Sequence, residues 1–341
     1  MSTETVLDVE PVMLEAGLST AALVALNVDN THIKPELIAY RRQVAGRLAD
    51  YWKNRSAQAH PVIEEYHRVH HRFGRLQEPP APQKLINNLR RNRDLTSSSA
   101  LVDCYNLVSA KTLLSIGAHD LDKLALPVTL RIAGPGDRFV PLGETEPREV
   151  TGEFAYIDAN RSIICRADVL QCESSKTTRD SRDVVFFFQG NKLLPATVML
   201  KGMWLLSEMV TSFCGGVTEV VSFFAAPSLV HEVPLKPTVS FETFTQLQLQ
   251  KGRVVSVRRL ARLPAFSAIT VQTTSRTEAL VLTSALPDYL SDDEGILVVT
   301  DLHPLTVAGE TFTSFVPILR NRAGAGPFKV EAVIEDGARL F

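Results

Sequence analysis

The hydrophobic pattern changes period several times along the chain. Residues 18–28 (LSTAALVALNV) are a nearly unbroken apolar run, the pattern of a strand buried on both faces. Over residues 36–52 the spacing of Leu37, Tyr40, Val44, Leu48 and Tyr51 predicts one face of a helix. His60-Pro61 opens a second helix, with Val62, Tyr66, Val69 and Phe73 on one face and Gly74 as its stop. Residues 77–83 (QEPPAPQ) read as a proline-rich break, Leu85, Ile86 and Leu89 as a short helix, and residues 94–100 as a loop. Val102, Tyr105, Val108 and Thr112 predict a helix over residues 101–114. From Pro127 to about Gly190 the pattern is one of short strands: VTLRIA, RFVPLG, GEFAYID, SIICRA and DVVFFFQ. A helix over 196–214 carries Met199, Met203, Leu206, Val210 and Phe213 in register and ends at Gly215-Gly216. These elements predict an α+β first domain, residues 1–230.

A linker is expected at 231–240 (HEVPLKPTVS), which has two prolines and no periodicity. Beyond it, residues 241–341 are β-like: GRVVSVRRL, SAITVQTTS, ALVLTSAL, GILVVTDL and SFVPIL. Five short strands with turn residues between them fit a small closed barrel, followed by a glycine-containing C-terminal extension.

Composition narrows the function. Of the 341 residues 45% are hydrophobic and 22% charged, a soluble balance, and no apolar run approaches the ~18 residues of a membrane span. Residues 1–40 hold six acids and one base, unlike the basic leaders that direct sorting, so a cytoplasmic protein is expected. The four cysteines are dispersed with no C-x-x-C, which predicts neither a disulfide framework nor a metal site. No cofactor is expected, because no Gly-rich phosphate loop, G-x-S-x-G elbow or H-E-x-x-H motif occurs; a metabolic enzyme is thereby disfavoured. The net charge of −2 conceals a contrast: residues 41–93 hold twelve bases and four acids. Such a stretch fits a polyanion such as nucleic acid, or alternatively a solvated helical face. His67, His70 and His71 lie in it, on a helix; without an acidic or cysteine ligand at a known spacing, they read as a solvated or phosphate-facing surface.

The segment LVDCYNLVSAKTLLSIGAHDLDKL (101–124), with LRIAGPGDRFVPLG, TGEFAYIDAN and IICRA after it, resembles the B3/B4 domain of the phenylalanyl-tRNA synthetase β subunit and its free-standing relatives. The resemblance spans roughly residues 8–225. It implies a pocket for the aminoacylated end of tRNA, where a polar second sieve hydrolyses a wrongly attached amino acid. It places Asn106 on the family's pocket asparagine and Glu153 on its glutamate. Gly117 falls where the synthetase has a pocket histidine, and His119, two residues on, stands in part for that ring. Asn106, Glu153 and His119 are the candidate catalytic residues, with Tyr105, Gly117, Asp120, Asp158, Arg166, Lys176 and Thr177 lining the pocket. The Arg/Trp-rich run that follows Cys-Arg in free-standing relatives is absent here, where Cys165-Arg166 leads into Ala167-Asp168-Val169-Leu170.

The stretch FETFTQLQLQKGRVVSVRRL, with LTSAL, GILVVTDLHP and Ser314 in order after it, resembles the EMAP II-like tRNA-binding OB-fold domain over roughly residues 241–320. The combined expectation is an α+β B3/B4-like domain followed by an all-β OB-fold barrel. An OB barrel stacks bases in a groove and follows phosphates with basic side chains. Candidates are Lys251, Arg253, Arg258, Arg259, Arg262 and Arg276, with Ser314, and Arg90, Arg91 and Arg93 from the basic stretch. Residues 241–322 hold eight bases and eight acids, so tRNA contact needs a locally positive groove or the residues of 41–93. A protein–protein barrel is the alternative.

Two functions are compatible with these readings. One is a tRNA-binding quality-control factor, an aminoacyl-tRNA deacylase; without HIGH or KMSKS signatures it is not a complete tRNA ligase. The other is a non-catalytic scaffold subunit of a multi-synthetase complex. The expected partners are tRNA and either aminoacyl-tRNA synthetases or a second copy of the chain, with no membrane and no DNA.

Overall fold

The apolar run near the N-terminus forms the strand Leu18–Leu26, in which every residue but the last is buried. A computed structural model describes residues 5–74, 78–226, 248–273, 279–283, 295–300, 302–315, 318–321 and 324–327. The chain divides into two units, Met1–His231 and Glu232–Phe341. The linker expected at 231–240, the extension after Pro327 and Arg276 lie outside the described residues.

The first unit begins with β1 (Leu7–Val9), α1 (Pro11–Glu15) and β2 (Leu18–Leu26). Four helices come next: α2 (Pro35–Trp52), α3 (Pro61–Phe73), α4 (Ala81–Asn92) and α5 (Ala100–Thr112). Then come β3 (Ser115–Asp120), β4 (Val128–Ile132), β5 (Arg138–Phe139), β6 (Arg148–Glu149), β7 (Phe154–Ile157), β8 (Ile163–Arg166), β9 (Leu170–Gln171) and β10 (Val184–Asn191). The unit closes with α6 (Ala196–Cys214) and β11 (Val217–Phe224). One sheet has the order β1-β4-β7-β8-β9; only the β1–β4 pair is parallel. In the other, β11, β2, β10 and β3 lie side by side in that order, all antiparallel.

Both faces of this second sheet are covered, which is why β2 and β10 read as unbroken apolar runs. Along β10 successive side chains point to opposite faces. Val185 and Phe187 join Leu18, Ala22 and Val24 in a core shared with Leu130, Phe154 and Tyr156 of the first sheet. Phe186 instead meets Tyr105 of α5, ring centroids 6.3 Å apart. Phe188 lies under α6, where a Cβ on Gly202 would stand 3.7 Å from its ring and 2.6 Å from Leu114. Each phenylalanine so buried stabilises the fold by about 1.5–3 kcal/mol.

Three features differ from the sequence pattern. The prolines of 77–83 do not only break the chain: Pro82 sits in the first turn of α4, where no backbone N–H is needed. Helix α5 ends at Thr112 rather than 114, because Leu113 adopts a left-handed φ of 62° and caps it. The strands β3 and β11 have no counterpart in the strand pattern read from the sequence, and β3 forms the floor of the candidate site.

The second unit comprises β12 (Gln248–Leu260), β13 (Leu263–Gln272), β14 (Ala279–Thr283), β15 (Gly295–Thr300), β16 (Leu305–Val307), β17 (Glu310–Phe312), β18 (Ser314–Phe315), β19 (Ile318–Asn321) and β20 (Gly324–Pro327). Strand β12 pairs with β13, β13 with β14, β14 with β18, β18 with β15 and β15 with β12, so five strands pair in a closed circuit. Val254, Ile269, Val271, Ile296 and Val298 fill its interior. A register shift between Val254 and Ser256 bends β12, which lets one 13-residue strand serve two neighbours. Separate antiparallel pairs are formed by β16 with β17 and by β19 with β20.

Candidate functional site

Strand β3 lies next to β10 and presents Ser115, Gly117 and His119 on one face. Their register partners on β10 are Gln189, Phe187 and Val185. This face is the floor of a cleft of about 560 Å³. One wall comes from α4 and α5 with Lys84, Leu85, Tyr105 and Asn106. The opposite wall comes from Phe139, Leu142, Tyr156 and the segment Cys165–Gln171.

His119 is buried in the floor, with Nδ1 2.7 Å from Ser175 Oγ. Burial lowers its pKa to about 4, so the ring is neutral at physiological pH. Asn106 lines the cleft from α5, and among the described residues its side chain has no hydrogen-bond partner. Burial pushes the neighbouring Tyr105 phenol up to about 12, leaving its hydroxyl a neutral donor. Burial likewise raises the Cys165 thiol, with the nearby Asp168 carboxylate adding to the shift. That thiol is no nucleophile at neutral pH. A Cβ on Gly117 would meet the Gln171 amide nitrogen at 2.8 Å and His119 Nε2 at 3.9 Å. Gln171 therefore holds the space that a side chain at 117 would need.

A second histidine stands behind the wall. His70 Nε2 bonds to Asp168 Oδ1, with both side chains 1% exposed. The sequence pattern puts His67, His70 and His71 together on a surface. In the structure α3 turns His70 inward against Phe154, while His67 bonds to Gln83 at 2.6 Å and His71 is exposed. Helix amphipathicity explains the split, since His70 falls on the face of Tyr66 and Val69. Among the described residues no group of three histidine, cysteine or acidic side chains could hold a metal ion.

The residues singled out from the sequence divide into those that reach the cleft and those that do not. Asn106, His119, Tyr105, Gly117 and Arg166 line it. Glu153 does not: it lies beside β7 and grips Arg166 across the sheet, Nη2 donating to Oε1 at 2.7 Å. Asp120 turns away to accept from Ser181 Oγ at 2.6 Å and to pair with Lys123 at 3.1 Å. Asp158 ties the 158–162 turn, accepting from the backbone of Asn160 and Ser162 at 3.0 and 2.8 Å. Lys176 pairs with Glu173, and neither it nor Thr177 is part of the lining. Short polar side chains at turns hold their own backbone, which accounts for Asp158. Sequence reasoning missed Asp168, Gln171 and Gln189. The alternation of Ile116 and Ala118 with Ser115, Gly117 and His119 is the signal for the floor strand.

The cationic residues are similarly divided. Arg90 and Arg91 are exposed on the last turn of α4, and Arg93 pairs with Asp50 at 2.7 Å on the surface. Arg41 is buried against Asp103 at 2.6 Å, so part of the basic stretch is internal. In the second unit Arg253, Arg258, Arg259 and Arg262 are exposed or half-exposed. Lys251 and Ser314, by contrast, are buried, at 8% and 1% exposure. Lys251 stands in β12 opposite Leu297 of β15, and its burial leaves little of it for an RNA backbone.

Comparison with known proteins gives low overall similarity. A search of curated proteins finds no match. The MetRS-related protein of Pyrococcus horikoshii is 16% identical over 31% of this chain and 100% of its own, with a TM-score of 0.28. The CsaA chaperone protein of Picrophilus torridus is 12% identical over 30% of this chain and 100% of its own, with a TM-score of 0.28. An N-terminal fragment of the phenylalanyl-tRNA synthetase β-subunit of Pyrococcus horikoshii is 14% identical over 64% of this chain and 50% of its own, with a TM-score of 0.33. The family comparison is more specific: residues 66–193, from the helix bearing His70 to just past the end of β10, match the B3/4 domain. That stretch supplies every residue of the cleft, and the chain therefore carries a B3/4 domain at this site.

Proposed function

We propose that this chain handles aminoacyl-tRNA: the cleft receives the aminoacyl end and hydrolyses its ester, and the second unit is an EMAP II-like OB barrel that holds tRNA. The observation that carries this reading is a B3/4 cleft in which Asn106 has an open amide and His119 is held neutral. Hydrolysis of an activated ester needs a placed water and donors for the developing oxyanion, not a side-chain nucleophile. In the tautomer that donates Nδ1–H to Ser175 Oγ, His119 has its Nε2 lone pair free for a water. Asn106 and Tyr105 supply neutral donors. Arg166, fixed by Glu153, adds a cation to the wall. The exposed Arg90 and Arg91 and the arginines of β12 are the candidate phosphate contacts.

A second reading, a non-catalytic subunit of a multi-synthetase assembly, is favoured by one observation. The position where the B3/B4 resemblance places an imidazole is Gly117, and Gln171 stands over it. Incubation with a panel of correctly and wrongly charged tRNAs separates the two. The first reading expects faster deacylation of at least one mischarged tRNA, lost in Asn106→Ala and His119→Gln. No deacylation, with synthetases co-purifying, favours the second. Both readings expect tRNA affinity that falls with salt and in the triple Arg90→Glu, Arg91→Glu, Arg93→Glu variant. An affinity indifferent to salt and to those changes removes tRNA from the assignment.

A further inference from the structure

Three polar atoms in the cleft wall have no part in the proposed hydrolysis. Asp168 Oδ2 and both amide atoms of Gln189 are buried without a partner, and both residues line the cleft. Gln189 is 2% exposed and Asp168 6%. The two are neighbours through Ser115. Its Oγ donates to the Asp168 carbonyl oxygen at 2.9 Å, and it is the register partner of Gln189. Register partners stand on the same face of a sheet. Buried polar groups in folded proteins are nearly always paired, because an unpaired one gives up its hydration for nothing. A carboxylate oxygen and an amide left unpaired in the lining of one cleft are suited to recognition.

The contacts of His70 bear on the same wall. Its Nε2 faces Asp168 Oδ1, while Nδ1 is buried and unpaired. The contact ties the Asp168 carboxylate to α3 through one oxygen and leaves the other unpaired. His70 thus holds the carboxylate in place, and among the described residues no lysine or arginine pairs with Asp168.

We propose that Asp168 and Gln189 form a subsite for the α-ammonium group of the aminoacyl ligand, with His70 as the residue that positions Asp168. The inference rests on the cleft being an aminoacyl site. The carboxylate matches the charge of the ammonium, and the Gln189 carbonyl accepts a second of its N–H groups. The remaining Gln189 amide protons face the ligand's own acceptors.

The test uses non-hydrolysable probes: 3′-amide analogues of aminoacyl-adenosine carrying phenylalanine, tyrosine or alanine, each with a counterpart lacking the amino group. Titration calorimetry on the full chain is expected to show the ammonium-bearing probe bound about tenfold or more tighter than its counterpart, the preference of a single charge-assisted contact. Asp168→Asn is expected to reduce that ratio towards one while leaving the counterpart's affinity unchanged, and Gln189→Leu to reduce the ratio. His70→Gln, whose amide can keep the bond, is expected to retain the ratio, and His70→Ala to lose it. Equal binding of the paired probes by the wild-type protein, or an undiminished ratio in Asp168→Asn, overturns the subsite and leaves the aminoacyl cleft standing. If no probe of either kind binds, both fall. The wild-type comparison is decisive even where a variant does not fold.

Discussion

Two buried acids in the first unit show how differently one fold can use a carboxylate. Asp103, on α5, is fully buried and receives Arg41 Nη1 at 2.6 Å and Ser97 Oγ at 2.9 Å. Arg41 also reaches Asp94 at 3.1 Å, so the cluster ties α2 to α5 and the turn before it, and none of its members lines the cleft. Asp168 is as deeply buried, but its partner is a histidine, its second oxygen is unpaired, and it lies in the cleft wall. Asp103 also keeps one oxygen unpaired, so an open atom alone does not mark a site. What separates the two is the partner: Asp103 pairs with an arginine inside the fold, and among the described residues no lysine or arginine pairs with Asp168.

The most severe test of that contrast removes the counter-charge. Arg41→Met leaves Asp103 buried and uncompensated, and breaking such a pair costs about 3–5 kcal/mol. Chemical denaturation is expected to show a loss of that size, with cleft-ligand affinity unchanged in the protein that remains folded. A loss below about 1 kcal/mol would mean that Asp103 needs its arginine no more than Asp168 does.

The cleft's own burden of polar burial is visible in pH. His119 has a pKa of about 4 in the folded chain against about 6.5 when unfolded. Between those values the unfolded chain binds a proton that the folded chain refuses. Stability is therefore unaffected above pH 6.5, falls as pH drops from 6.5 towards 4, and levels off below that. The full effect is about 3 kcal/mol, at 1.36 kcal/mol per pH unit. Unfolding free energies at pH 7.5 and 4.5 are expected to differ less in His119→Gln than in the wild type. Equal differences would mean that His119 is not desolvated as its burial in the cleft floor requires.

How much of this is legible in the sequence depends on whether the signal is local. Helix α3 can be read from its apolar face, His60-Pro61 and Gly74, and the structure has it at Pro61–Phe73. Asn106 and His119 are identified through resemblance, and both line the cleft. Asp168 and Gln189 cannot be found in this way. They are 21 residues apart, and only the pairing of β3 with β10 and the bond from Ser115 bring them together. His70 is misread for the same reason: the helical pattern shows which face it shares, but not that the first sheet covers that face. Lys251 is misread because a basic residue beside Gly252 looks solvated in a linear sequence, whereas in β12 it is buried where that strand pairs with β15.

The mildest perturbation extends the comparison to an acid at the surface. Arg258 on β12 forms a two-pronged pair with Glu310, the Nη1–Oε1 distance being 2.9 Å, but the side chains are 49% and 33% exposed. Water screens the attraction, and two long side chains lose rotamer freedom to keep it. Exposed pairs of this kind are worth about 0–1 kcal/mol. A double-mutant cycle of Arg258→Gln and Glu310→Gln is expected to give a coupling within that range, smaller at high salt. The same Arg258→Gln change has a second expected consequence if Arg258 touches RNA phosphate. tRNA affinity falls and the slope of its logarithm against the logarithm of salt concentration becomes shallower by about one unit, with melting temperature nearly unmoved. A coupling above about 2 kcal/mol would instead make the pair a structural tie like that of Arg41. An unchanged salt slope would assign Arg258 to Glu310 rather than to phosphate.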